Sequence, residues 1–267
     1  MIYIVYRTEA NRIIKVSYSN VPSTLQMNNK FISEIIHVEG LRDLRKLNLS
    51  NNSLNNLSFM KHFPILIDLN ISRNKIVSLK GIGNTSQITK LDASYNNIHD
   101  ISDLVVLPHI CDIDLSHNRI HDANVILTFK TIVYLNISYN SLSTITFSSN
   151  TFLKELNLNY NSINDINGIG QLINLESLHI FGNIIKSIPE EITNCIKLKD
   201  INFNVFEITL TEKIKKHLEI NNNKSKNSTK KTIGFEIEPV IFSHINSDHM
   251  VQNKPLSPEE INFMKMF

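Results

Sequence analysis

The chain has 267 residues, 42% of them hydrophobic and 19% charged, with 27 basic against 25 acidic side chains and a net charge of +2 at neutral pH. That composition supports a continuous core, and so even a charge balance excludes a polyanion-binding basic domain as the default reading. No apolar run approaches the ~18 residues of a membrane span, and the N-terminal run IYIVY is too short for a secretion-signal core, so no membrane partner is expected and the cytoplasm or nucleus is the expected compartment.

Residues 1–21 hold two β-rich runs, IYIVY and IIKVSYS, joined by the polar RTEAN, which predicts a hairpin cap. From residue 22 to 208 the chain repeats itself. Units starting at Leu44, Leu66, Ile88, Ile110, Ile132, Leu153, Leu175 and Leu198 fit L-x-x-L-x-L-x-x-N-x-L, with Ile often replacing Leu, as in LIDLNISRNKI, ITKLDASYNNI and ICDIDLSHNRI. The spacing is 22 residues, save 21 before Leu153 and 23 before Leu198, and an earlier unit, PSTLQMNNKFI, has Lys30 in the Asn place.

Apolar residues at repeat positions 4 and 6, such as Leu91 and Ala93, alternate with polar ones, so each unit predicts a short strand with Lys90, Asp92 and Ser94 toward solvent. The other half of the unit brings Ile98, Ile101 and Leu107 back to the core. Five or six such side chains at roughly 1.5–3 kcal/mol each offset the ordering of one repeat only where neighbours cover both sides. The expected fold is therefore an α/β solenoid. Its strands form a parallel sheet on the concave face, with short helical or irregular segments on the convex face, a β-hairpin cap at the start and a helix cap at the end.

After each strand the backbone must turn inside the array, leaving N–H and C=O groups without sheet partners. An inward carboxamide both donates and accepts. Asn52, Asn74, Asn96, Asn118, Asn140, Asn161 and Asn183 are thus expected to form a buried structural ladder.

The pattern resembles the leucine-rich repeat family over residues 22–208, and its 22-residue form is similar to the repeats of the type-1 protein phosphatase regulatory subunit and of bacterial internalins. The resemblance implies a structural role for the Asn position and a protein-binding role for the whole.

Beyond the repeats, where Phe206 stands in the Asn place, TLTEKIKKHLEI (209–220) has capping-box spacing at Thr209 and Glu212 and an apolar stripe of Leu210, Ile214 and Leu218. A helix closing the core is expected there. NNNKSKNSTKKT (221–232) reads as a flexible linker, and 233–267 as a tail with a short terminal helix that either packs on the repeats or recruits a second partner.

Enzyme signatures such as G-x-x-x-x-G-K-[ST], G-x-S-x-G and H-E-x-x-H are missing. Cys111 and Cys195 lie about four repeats apart, too far for a disulfide at ~4.8 Å per strand, and neither has a base beside it in sequence. The pairs His99–Asp100 and His121–Asp122 occupy equivalent places but read as solvated loop residues, so no metal and no cofactor are expected.

The concave face remains. Position 8 supplies Tyr95, His117, Tyr139 and Tyr160, with Phe181 at position 7, and the strands add Asp92, Asp112, Asp114 and Tyr134. Aromatics in a row, rimmed by carboxylates, suit the centre of a protein interface. Their outward placement predicts that they are cheap to lose for folding. The expectation is a non-enzymatic, monomeric scaffold or regulatory subunit that binds a protein partner on this face, without direct nucleic-acid contact. The alternatives are an RNA-processing scaffold with a companion RNA-binding subunit, resembling the leucine-rich spliceosomal protein, and a secreted or surface adhesin resembling internalins.

Overall fold

The structure, a computed structural model, describes residues 2–226 apart from 86, 149–151, 205–207 and 209. Phe206, Thr209, the rest of the expected linker and the 233–267 tail lie outside the described residues.

The chain opens with β1 (Ile2–Thr8), which pairs antiparallel with β2 (Ile13–Tyr18), the two runs read as a hairpin. After β3 (Leu25–Gln26), a strand of the second sheet, β4 (Ile32–Glu39) returns along the other edge of β1. The cap is therefore a three-stranded sheet in the order β2-β1-β4, one strand larger than the hairpin expected. Ile4 and Tyr6 from β1 meet Ile32, Ile35 and Val38 from β4, all buried, and cover the first repeat.

Among the described residues, β3, β5 (Lys46–Asn48), β6 (Asp68–Asn70), β7 (Lys90–Asp92), β8 (Asp112–Asp114), β9 (Tyr134–Asn136), β10 (Glu155–Asn157), β11 (Ser177–His179) and β12 (Asp200–Asn202) form one parallel sheet in sequence order. Register follows the repeat. Leu25, Leu47, Leu69, Leu91, Ile113, Leu135, Leu156, Leu178 and Ile201 align across the sheet. In the unit starting at Ile88, that residue and Leu91, Ala93, Ile98, Ile101, Leu104 and Leu107 are all buried. Among the described residues the convex half of the repeats carries 3-10 turns such as Ser102–Val106, one short α-turn, α1 (Asn124–Leu127), and an irregular stretch over 141–148.

The asparagine ladder joins each repeat to the one before. Asn96 Nδ2 donates to the carbonyls of Ile71 (3.0 Å), Ala93 (3.1 Å) and Ser94 (3.1 Å), and its Oδ1 accepts from the Ile76 N–H at 3.0 Å. The same contacts recur at Asn52, Asn74, Asn118, Asn140 and Asn161, and Asn183 bonds the carbonyls of Leu158 and Ile180 and the N–H of Ile163. At the first unit the Lys30 N–H donates to Asn52 Oδ1, so the unit without its own Asn is held by the next. Five rungs are buried, while Asn118 and Asn140 are half-buried.

One detail departs from expectation. Ser94 does not face solvent: Ser72, Ser94, Ser116 and Ser138 are buried, each hydroxyl donating to the position-5 side chain at 2.6–2.7 Å. The strand ends at position 5, so alternation no longer governs position 7.

At the far end α2 (Glu212–Lys226) buries Ile214 and Leu218, with Leu210 partly buried beside them. Lys213 Nζ meets Glu190 at 3.1 Å, and the His217 ring meets the Cys195 carbonyl at 3.2 Å. The helix runs on through 221–226, six residues into the stretch read as linker. Once nucleated against the array, a helix gains one hydrogen bond per added residue.

Candidate functional site

Position 8 lies in the turn that follows each strand, and there the backbone adopts the left-handed region. Arg73, Tyr95, His117, Tyr139 and Tyr160 have φ of +54 to +55. Non-glycine residues enter this region at a cost of about 1–2 kcal/mol. The conformation turns each N–H toward the next repeat: Tyr95 donates to the Ser116 carbonyl (2.9 Å), His117 to Ser138 (3.0 Å), Tyr139 to Asn159 (2.9 Å) and Tyr160 to Phe181 (2.7 Å).

The side chains follow and form a column. Tyr95 stacks on His117 with ring centroids 4.0 Å apart and planes 11° from parallel, His117 on Tyr139 at 4.1 Å and 12°, and Tyr139 on Tyr160 at 4.3 Å and 20°. Phe181 closes one end edge-on to Tyr160 at 5.5 Å, and the Arg73 guanidinium closes the other, 4.1 Å over Tyr95. Gly182 makes the terminus: with φ of +69, a side-chain carbon there would sit 2.7 Å from Tyr160 Cδ1. Tyr95 and Tyr139 remain 41% and 38% exposed although their ring faces cover one another. The expectation that these residues are cheap to lose is thereby corrected, because ring pairs contribute about 0.5–1.5 kcal/mol each. Burial, and then the Arg73 charge, lower the pKa of His117, while burial and the neighbouring Tyr160 and Tyr95 phenols push Tyr139 up to about 12.

Beside the column lies the open strand face. Position 3 carries Lys90, Asp112, Tyr134 and Glu155 on successive strands, and Lys90 Nζ bonds Asp112 at 2.8 Å. Position 5 carries Asn70, Asp92, Asp114 and Asn136, with Asn70 donating to Asp92 Oδ2 (3.0 Å) and Asn136 to Asp114 Oδ2 (3.1 Å). Burial raises the pKa of Asp114, Asp92 adding to the shift against the hydrogen bonds of Ser116 and Asn136, and burial with Asp114, Asp112 and Glu155 pushes the Tyr134 phenol up to about 12.

No family model and no curated protein matches the sequence. Solved structures match with a common fold. A leucine-rich repeat protein of Leptospira interrogans is 27% identical with a TM-score of 0.61, covering 68% of this chain and 48% of that one. The internalin InlF of Listeria monocytogenes is 20% identical at TM-score 0.60 (66% and 52% covered), and internalin C2 of the same organism 22% identical at 0.56 (62% and 74%). What this chain shares with these neighbours is the fold. The chain has the leucine-rich repeat fold. It spans about half the length of the first two structures it matches.

Of the residues singled out from the sequence, this leucine-rich repeat fold brings Tyr95, His117, Tyr139, Tyr160 and Phe181 into direct contact and sets Asp92, Asp112, Asp114 and Tyr134 on the adjoining strands. Arg73 was missed, although it precedes Tyr95 by one repeat at the same position. The signal was in the spacing.

A second cluster has the composition of a hydrolase triad without its connectivity. Ser177 Oγ lies 2.9 Å from His179 Nε2 and 3.0 Å from Asp200 Oδ2, and Asp200 approaches that same Nε2 at 3.8 Å. In a triad the carboxylate holds the opposite ring nitrogen and so orients the base. Here both groups converge on the hydroxyl. Among the described residues no group of three or more His, Cys, Asp or Glu side chains is placed to hold a metal ion. Cys111 is half-buried and Cys195 buried, and burial raises both thiol pKa values, that of Cys195 to about 12.

Proposed function

We propose that this protein is a non-enzymatic interaction scaffold or regulatory subunit, acting as a single copy in a reducing intracellular compartment, whose concave face binds a partner protein. One observation carries the reading: rings from five successive repeats stand in contact along the open strand face. Stacking fixes their side chains before any partner arrives, which lowers the ordering cost of association. The rim of ring edges and hydroxyls combines apolar area with hydrogen-bonding groups, the mixture that interface centres use. The free, unactivated thiols support the reducing compartment.

The test is affinity capture from the source cells followed by mass spectrometry. Tyr139→Ala removes the central ring and is expected to weaken capture of the main partner about ten-fold or more, whereas Tyr139→Phe keeps the stack and most of the binding. A folded Tyr139→Ala protein that captures the partner as the wild type does would overturn the reading.

A further inference from the structure

The middle of the strand face has a charge of its own. On β6 to β10 its outward rows carry Asp68, Asp92, Asp112, Asp114 and Glu155 against the single cation Lys90. Five carboxylates less one ammonium leave an excess of four negative charges on a chain whose total is +2. Lys90 is already engaged by Asp112 at 2.8 Å. Asp92 and Asp114 are register partners on adjacent strands, each drawing an amide from its outer neighbour, and no donor from a described residue is shared between them. The Tyr134 phenol is raised first by burial and then by Asp114, Asp112 and Glu155.

The column gives an independent indication. Arg73 rests on the Tyr95 ring at 4.1 Å, so this surface already holds one planar cation within the chain itself.

We propose that the partner segment recognised here is an arginine-rich stretch of polypeptide laid across β6 to β10. Its guanidinium groups bond Asp92, Asp112 and Asp114, and its apolar parts rest along the ring edges. Five strands at ~4.8 Å span roughly 19 Å, which calls for several cations on one chain rather than a single small ion. Arginine fits both features, since it bonds carboxylates in pairs and lies flat on aromatic rings. The proposal rests on the concave-face reading and adds the chemistry of the partner.

The experiment titrates the full chain into a fluorescently labelled oligoarginine peptide and follows anisotropy, with labelled oligoglutamate as comparison. The variant Asp92→Asn with Asp114→Asn keeps the local geometry, since Asn48, Asn70, Asn136, Asn157 and Asn202 already occupy this position in other repeats. The control, Asp43→Asn with Glu219→Gln, changes net charge equally at exposed sites away from the strand face. Circular dichroism verifies the fold of each. Oligoarginine is expected to bind, to lose about ten-fold or more with the face pair and less than about two-fold with the control pair. Binding should also weaken as salt rises from about 0.1 M to about 1 M, where the screening length drops from about 10 Å to about 3 Å.

Equal losses in the two pairs, no oligoarginine binding, or equal binding of oligoglutamate would each overturn the proposal. So would a salt-sensitive dimer in sedimentation, because the occupant would then be a second copy of the chain. If oligoarginine fails while Tyr139→Ala still abolishes capture of the cellular partner, only the cationic chemistry falls. If capture survives Tyr139→Ala, the concave-face reading falls with it.

Discussion

Asn118 holds four backbone groups at once. Its Nδ2 donates to the carbonyls of Ala93 (3.0 Å), Leu115 (3.0 Å) and Ser116 (3.2 Å), and its Oδ1 accepts from the N–H of Ile98 at 2.9 Å. Replacing it with Ala leaves these groups unpaired beside the core and is expected to cost about 1–3 kcal/mol. Asn97 is the fitting control, because its side chain makes no hydrogen bond among the described residues, whereas Asn124 accepts from the Thr146 N–H at 3.0 Å. Denaturant midpoints should separate Asn118→Ala from Asn97→Ala, and equal losses would mean that the ladder does not hold the turns. At this scale the sequence was informative about the ladder, where residue type and period both matter. At position 8 it placed the aromatics in a row, since a period of 22 makes Tyr95 and His117 neighbours, but it carried no sign of a left-handed backbone or of ring faces meeting at 4.0 Å.

Strands and caps differ in how far they could be read. The strands of the repeats are local, each set by alternation within a few residues, and their register follows the period. β4 has no such signal: EIIHVE does not alternate cleanly, and its partner β1 is a distant segment that the sequence alone does not pair with it. The closing helix was legible through its stripe, but its length was not, because a run of polar residues reads alike in linker and helix. Its contribution is concentrated at Ile214, which is fully buried. Ile214→Ala is expected to cost about 2–5 kcal/mol. Since each repeat leans only on its neighbours, amide exchange should rise first in β12 and β11 and least in β6. A uniform rise across all strands would show that α2 is not a local cap.

The whole molecule combines two ladders of one period: asparagines inside, which fix the turns, and rings outside, which the turns display. The inner ladder accounts for the fold. The outer one is the basis of the functional account, whose central claim is that a partner lies along the column and strand face. A photo-crosslinking residue tests this most directly, placed at the exposed Glu155 on β10 or at Val105, 63% exposed on the convex 3-10 turn. With the captured partner present, the account predicts a crosslinked complex from position 155 and none from position 105. A complex formed from position 105 and absent from position 155 would contradict it.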